Sequence, residues 1–210
     1  MYYEKNPTAD HDIHELRVRL LDTPMTFLTD AGVFSKRMVD YGSQVLLSTL
    51  DLEPDKTLLD VGCGYGPLGL TLGKVFGVQA TLIDINSRAL DLARANAEKN
   101  QVKARIFQSN IYEEVEGNFD YIVSNPPFKL DFSDFRDDLE NDINKKRFFA
   151  GIPNIPKTKK ESMAIYLLFI QHIMYSLSEN GKSAIVVPTG FITAQSGIER
   201  KIREALIERN

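Results

Sequence analysis

Apolar positions along this chain change their period repeatedly, and each change marks an element. Leu16-Arg17-Val18-Arg19-Leu20 alternates with period two and predicts a hairpin strand. Between 38 and 50, Met38, Val45, Leu46, Thr49 and Leu50 recur near helical spacing, and Glu53-Pro54-Asp55 closes that helix. Residues 57–61 form a short apolar run, broken by the glycine-dense Gly62-Cys63-Gly64-Tyr65-Gly66 and followed by a helical pattern over 67–76, with Pro67 at its first position. Residues 80–84 predict the next strand, and Asn86 or Ser87 caps an amphipathic helix running to about Asn100. Residues 105–108 read as a weaker strand and 119–124 as a stronger one. This alternation predicts an α/β fold, a mostly parallel sheet covered on both faces.

The rhythm breaks at 129–160, which is rich in charge and contains Gly151-Ile152-Pro153-Asn154-Ile155-Pro156, so it reads as a long loop with one helical turn. Thr158 and Glu161 fit a capping box for an apolar helix over about 160–177, stopped by Glu179-Asn180-Gly181. A buried strand over 183–187 and a helix over about 197–208 complete the chain. Turn signals in 1–35 mark an N-terminal extension, and 36–210 read as the main domain. Repeats and low-complexity segments are absent from the sequence.

Composition narrows the classes. With 210 residues, 43% of them hydrophobic, the chain can bury one sizeable core. Lys and Arg total 25 against 29 Asp and Glu, so nucleic-acid contact must come from a local basic patch. Cys63 is the single cysteine, which excludes an internal disulfide and makes a reducing, cytoplasmic compartment the expectation. His11, His14 and His172 form no ligand-like spacing with it, and no metal is expected. The polar start, and a longest apolar stretch of only 163–170, predict no export signal and no membrane span.

Candidate chemistry begins at the glycine turn, where backbone N–H groups approach a ligand unobstructed by a Cβ. Its spacing, Gly62-x-Gly64-x-Gly66 with Asp60 just before, departs from the dinucleotide fingerprint. A carboxylate at Asp60 suits the ammonium of an amino-acid moiety better than a pyrophosphate. Asp84, at the end of the second strand, can accept from two ribose hydroxyls. Together they describe a nucleoside joined to an amino acid.

The order Leu58-Leu59-Asp60-Val61-Gly62-Cys63-Gly64-Tyr65-Gly66, Ile83-Asp84 and Asn125-Pro126-Pro127-Phe128 resembles the class I S-adenosylmethionine-dependent methyltransferases. The resemblance implies a Rossmann-like sheet with S-adenosyl-L-methionine as cofactor. It implies that Gly62 and Gly64 line the methionine part, that Asp84 binds the ribose, and that Asn110 meets the adenine amine. Many relatives carry Asp at that last position, but an amide oxygen accepts equally well. Asp60, Cys63, Gly66, Ile85, Ile111 and Asn125 complete the implied surroundings of the cofactor. Cys63 also reads as a small buried filler, and Tyr65 and Tyr112 as core aromatics.

Asn125-Pro126-Pro127-Phe128 resembles the signature of enzymes that methylate exocyclic amines. Such an amine is a poor nucleophile because its lone pair is delocalised into the ring, and two acceptors aimed at its protons draw it toward tetrahedral geometry. The Asn125 side-chain oxygen and the Pro126 carbonyl are the candidates, followed by Pro127 and by Phe128, which can stack on an unstacked base. Methyl transfer from a sulfonium needs alignment more than acid or base. Cytosine C5 methylation needs a cysteine nucleophile, which this motif lacks.

Two narrower resemblances share the chain. Residues 1–128, with Tyr3, Asn6-Pro7 and Thr29-Asp30-Ala31-Gly32-Val33-Phe34-Ser35, resemble small-subunit ribosomal RNA guanine-N2 methyltransferases, which implies that Phe34 packs over the cofactor. Residues 125–210, with Phe169-Ile170-Gln171-His172, Asn180-Gly181-Lys182, Val187-Pro188-Thr189-Gly190 and Lys201-Ile202-Arg203, resemble the adenine-N6 modification subunit of type I restriction systems. A natural or engineered chimera of the two is the implied origin. The partner is then nucleic acid, either ribosomal RNA or DNA. Other readings are a protein-glutamine methyltransferase, which uses a similar Asn-Pro-Pro motif, and a cofactor-binding scaffold without turnover. The loop at 129–160, on the substrate side, carries Lys145, Lys146, Arg147, Lys157, Lys159 and Lys160, a phosphate-contacting patch or a solvated charged loop. The class finishes with a two-strand hairpin that this sequence lacks, so 183–187 is expected to be an open sheet edge that favours a homodimer.

Overall fold

The computed structural model describes residues 5–110 and 115–208. Tyr3, Ile111 and Tyr112 lie outside the described residues. The chain divides into two compact units, Met1–Asn125 with Leu177–Val186, and Pro126–Ser176 with Val187–Asn210.

The first unit opens with an antiparallel hairpin, β1 (His14–Leu20) and β2 (Thr23–Thr29), as the alternation at 16–20 predicts. Helix α1 (Tyr41–Ser48) follows, its N-terminus capped by the Asp40 side chain, which accepts from the Ser43 N–H. It starts later than expected: Met38 lies before the cap and is 65% exposed. An aspartate that bonds the third N–H ahead of it stops helical pairing from extending further back.

Strands β3 (Thr57–Val61), β4 (Gln79–Asp84), β5 (Ala104–Gln108), β6 (Phe119–Ser124) and β7 (Leu177–Ile185) form one sheet in the order β5-β4-β3-β6-β7. All its pairings are parallel. Helix α2 (Pro67–Phe76) connects β3 to β4, and α3 (Ser87–Asn100) connects β4 to β5. Of the two cap candidates Asn86 is the cap, its side chain accepting from the Ala89 N–H. Leu58, Leu59, Leu70, Leu72 and Leu82 are fully buried in the core that these layers enclose. The strand order reverses between β3 and β6, and open α/β sheets bind ligands at the carboxyl ends of the strands beside such a reversal.

β7 departs from expectation. It begins at Leu177, directly after a helix, and pairs Leu177 with Phe119 and Lys182 with Tyr121, so residues between them bulge out. Glu179-Asn180-Gly181, read as a helix stop, lies in that bulge, where a Cβ on Gly181 would meet the Phe119 carbonyl oxygen at 2.9 Å. Among the described residues β7 pairs on one side only.

The second unit holds α4 (Asp142–Arg147), α5 (Tyr166–Ser176), α6 (Thr189–Thr193) and α7 (Gly197–Glu208). The segment read as loop thus contains α4 as well as short 3-10 turns at Asp137–Leu139 and Lys160–Ser162. The expected capping box does not form. Lys159 takes a left-handed φ of 60°, Met163 is extended, and α5 starts only at Tyr166. Helix α6 was not anticipated, because Val187-Pro188-Thr189-Gly190 carries turn residues. Inside this unit Gln171 accepts from the Ala150 N–H at 2.8 Å and donates to the Gly151 carbonyl at 3.0 Å, tying the loop to α5. Among the described residues no helix is long and apolar enough to cross a membrane.

Candidate active site

The carboxyl ends of β3, β4 and β6 gather most of the sequence-predicted residues of the first unit. Asp60 is fully buried, and its Oδ2 accepts the Gly69 N–H at 2.8 Å while Oδ1 has no partner among the described residues. Burial pushes its carboxyl up to about 7, opposed by the Gly69 bond and reinforced by the nearby Asp84 charge.

Gly62, Gly64 and Gly66 all have positive φ, at 73°, 56° and 96°, which is why a turn this tight is built from glycine. The N–H groups of Gly62 and Cys63 both donate to the Ile83 carbonyl at 2.9 Å, fastening the turn to β4. Cys63 is buried with Sγ against the Gly64 carbonyl at 3.4 Å, and burial raises its thiol pKa well above the usual value. A Cβ on Gly66 would meet Leu70 at 2.7 Å, whereas one on Gly64 would meet nothing within 4 Å among the described residues. Open space therefore lies over Gly64.

Asp84 accepts the Gly64 N–H at 2.8 Å and the Asn86 N–H at 2.9 Å. Burial raises its pKa against those bonds. Each carboxylate oxygen keeps a further lone pair for a hydroxyl donor. The Asn86 amide donates to the Gly32 carbonyl at 2.9 Å, and Arg88 donates to the Ala31 carbonyl at 2.8 Å. These bonds hold the segment carrying Phe34 against the end of β4. Phe34 itself is exposed.

Ile85 and Asn110 line a cavity of about 720 Å³ at the ends of β4 and β5, together with Lys5, Arg105, Phe107, Gln108 and Ser109. Gln108 donates to the Ile85 carbonyl at 2.7 Å and helps shape that wall. Asp60, the glycines and Asn125 do not line this cavity. A buried carboxylate oxygen without a partner among the described residues, an open glycine and a side cavity bearing an amide are together the acceptors and the room that a nucleoside joined to an amino acid needs.

Asn125 follows β6, two residues beyond Val123, which pairs with Asp60. Its Nδ2 donates to Asp40 Oδ2 at 2.8 Å and to Ser43 Oγ at 3.0 Å. Sequence reading missed Asp40 and Ser43 as neighbours of the motif, since they precede it by 85 and 82 positions. Pro126, Pro127 and Phe128 belong to the second unit, where Phe128 sits edge-on to Tyr166 with centroids 6.4 Å apart.

A family model described as the methyltransferase small domain matches residues 24–146. Uncharacterized protein YbxB of Bacillus subtilis is 39% identical over 134 residues, 61% of this chain and 66% of that protein. Ribosomal RNA small subunit methyltransferase C of Citrobacter koseri is 41% identical over 126 residues, 60% of this chain but 36% of that protein. The chain thus spans about a third of the length of that named relative. Among solved structures, the T. thermophilus 16S rRNA N2 G1207 methyltransferase in complex with AdoMet and guanosine aligns with a TM-score of 0.61 and 22% identity. That alignment covers 85% of this chain and 43% of the other. A type I restriction-modification methyltransferase subunit from Streptococcus thermophilus aligns with a TM-score of 0.57 and 26% identity over 80% of this chain and 37% of its own.

Proposed function

The chain belongs to the methyltransferase small domain family, and from that premise we propose that it methylates an exocyclic amino nitrogen of a nucleic-acid base, guanine N2 of small-subunit ribosomal RNA first. The observation that carries this reading is the Asn125 amide, whose NH₂ is engaged by Asp40 and Ser43 so that its oxygen remains as an acceptor.

S-adenosylmethionine, when bound, supplies an electrophilic methyl group on a sulfonium. Asp60 would hold its ammonium, Asp84 its ribose and Asn110 its adenine amine, while the bare backbone at Gly64 would admit the chain between them. Asn125 Oδ1 and the Pro126 carbonyl accept hydrogen bonds from the two N–H groups of the base amine and turn its lone pair toward the methyl group, and the methylated nitrogen then releases one proton to solvent. Phe128 stacks on the base. Alignment and a fixed pair of acceptors supply the rate enhancement, and no side chain needs to take a proton before the transfer.

Guanine is favoured by the 41% identity to ribosomal RNA small subunit methyltransferase C over 126 residues. Adenine N6 in DNA is the second reading, favoured by the type I subunit at 26% identity. That likeness extends over 80% of this chain, more than residues 125–210 contain. In either case Lys145, Lys146, Lys157, Lys159 and Lys160 provide phosphate contacts. Two copies associating through the open edge of β7 complete the proposal, with sedimentation as its check.

The test is transfer of labelled methyl to small-subunit ribosomal RNA and to unmethylated DNA, followed by nucleoside identification. N2-methylguanosine supports the first reading and N6-methyladenine the second. Binding of S-adenosylhomocysteine without transfer to any acceptor replaces both with a scaffold.

A further inference from the structure

We propose that Asp40 is the positioning residue of this site: by accepting from Asn125 Nδ2 it sets which way the Asn125 amide points, and so presents Oδ1 as the acceptor for the base amine. The inference rests on the reading of Asn125 given above.

An asparagine amide has two orientations of nearly equal shape, and only its neighbours choose between them. Ser43 Oγ, 3.0 Å from Nδ2, cannot make that choice alone, because a hydroxyl both donates and accepts. Asp40 can. A carboxylate oxygen accepts, so turning the amide over would set Oδ1 against Oδ2 at 2.8 Å and lose the bond.

The carboxylate is itself held. Asp40 caps α1, and the same Oδ2 receives the Ser43 N–H at 3.2 Å, so one helix start aims two acceptors, Asp40 and Ser43, at one amide. Gly42 leaves the room: a Cβ there would lie 2.9 Å from Asp40 Oδ2 and 3.2 Å from Val186 Cγ1. Ser43 is buried, so water competes weakly for the bond. Helix capping alone does not need the alignment with Asn125.

Three variants separate positioning from capping. Asp40→Ser keeps a good cap and withdraws the reach to Asn125, while Asp40→Asn keeps cap and reach but accepts without charge and tolerates the turned amide. The expected result is that Asp40→Ser lowers kcat by about 100-fold and Asp40→Asn by less. KM for the acceptor and the affinity for S-adenosylhomocysteine should stay within about twofold. In the Asn125→Ala background Asp40→Ser should cost nothing further. An equal loss in that background overturns the proposal, as does a fall in melting temperature that accounts for the lost activity.

Side-chain amide NMR of Asn125 reads the same geometry without turnover. Two protected protons in the wild type, lost in Asp40→Ser, support the positioning role, and protons exchanging at solvent rates overturn it. Protected protons in a wild type that transfers methyl to no acceptor sink the proposed function and leave the positioning intact.

Discussion

Asn96 Oδ1 accepts the Leu28 N–H at 2.6 Å and Asn96 Nδ2 donates to the Leu28 carbonyl at 3.0 Å, so one helix side chain completes both backbone bonds of one strand residue. Asn100 does the same for Thr26, at 3.0 and 2.7 Å. Four residues of helix and two of strand both advance about 6 Å, so two asparagines at that spacing substitute for a neighbouring strand beside β2. Asn96 also donates to the Tyr65 carbonyl at 2.9 Å, which ties the hairpin to the glycine turn.

Replacing Asn96 with Leu is therefore expected to destabilise the protein by about 3 kcal/mol, because it leaves backbone groups without partners in a buried setting. Denaturant unfolding measures it. A loss below about 0.5 kcal/mol would show that β2 does not depend on this surrogate.

His172 is fully buried, and its Nδ1 accepts from Arg147 at 2.6 Å. Burial first, then the guanidinium charge, lowers its pKa to about 3. The unfolded chain takes up this proton near pH 6.5 and the folded protein does not. The stability His172 contributes is thus present above about 6.5 and is lost as pH falls toward 3, by up to about 1.4 kcal/mol per pH unit. Unfolding curves between pH 7 and 4 should show that slope. His172→Gln, which keeps an acceptor for Arg147, should flatten it.

Asp60 sits at about 7, so a large part of it is protonated in the free protein at neutral pH. The raised pKa means that its neutral form is favoured on folding, and that share of stability is lost as pH rises through about 7. An ammonium ligand prefers the ionised form. Affinity for S-adenosylhomocysteine is expected to rise between pH 6 and 8, by calorimetry, and Asp60→Asn should abolish the rise while weakening binding. An affinity independent of pH in the wild type would remove Asp60 from the ammonium site.

Gly64 and Gly69 should fail in different ways. A Cβ on Gly64 meets open space but sits at a φ of 56°, so Gly64→Ala is expected to cost about 1–2 kcal/mol of backbone strain and to weaken S-adenosylhomocysteine binding by filling the ligand's room. A Cβ on Gly69 would meet Leu82 at 2.8 Å and Asp60 Oδ2 at 3.0 Å. Gly69→Ala should lower the melting temperature through the core and disturb the Asp60 carboxylate as well. Thermal melts beside binding isotherms distinguish the two.

Period and punctuation in the sequence were sufficient for the sheet. The runs at 57–61 and 119–124 and the helix at 67–76 match β3, β6 and α2 residue for residue, because each is a short, largely apolar element bounded by glycine, proline or a charged turn. Asn86 could be read as a cap from its place before an apolar period, and Asp60 and Asp84 as strand-end carboxylates from their place after one. Local chemistry failed where distant partners compete for the backbone. Thr158 and Glu161 spell a capping box, yet the chain there turns through a left-handed Lys159 and joins Leu130 by the Met163 carbonyl. The bulge in β7 reads as a helix stop for the same reason: glycine permits both, and only pairing with β6 selects one.

By itself, then, the sequence determined the strand–helix alternation, the glycine turn and the motif after β6, since each depends on neighbours within a few residues. Tertiary structure alone decided that Asp40 meets Asn125 across 85 positions, that Asn96 and Asn100 stand in for a strand, and that Asp60 loses its solvent. Hydrogen bonds between distant side chains and the desolvation of a carboxylate exist only once the layers close, and no local pattern encodes them.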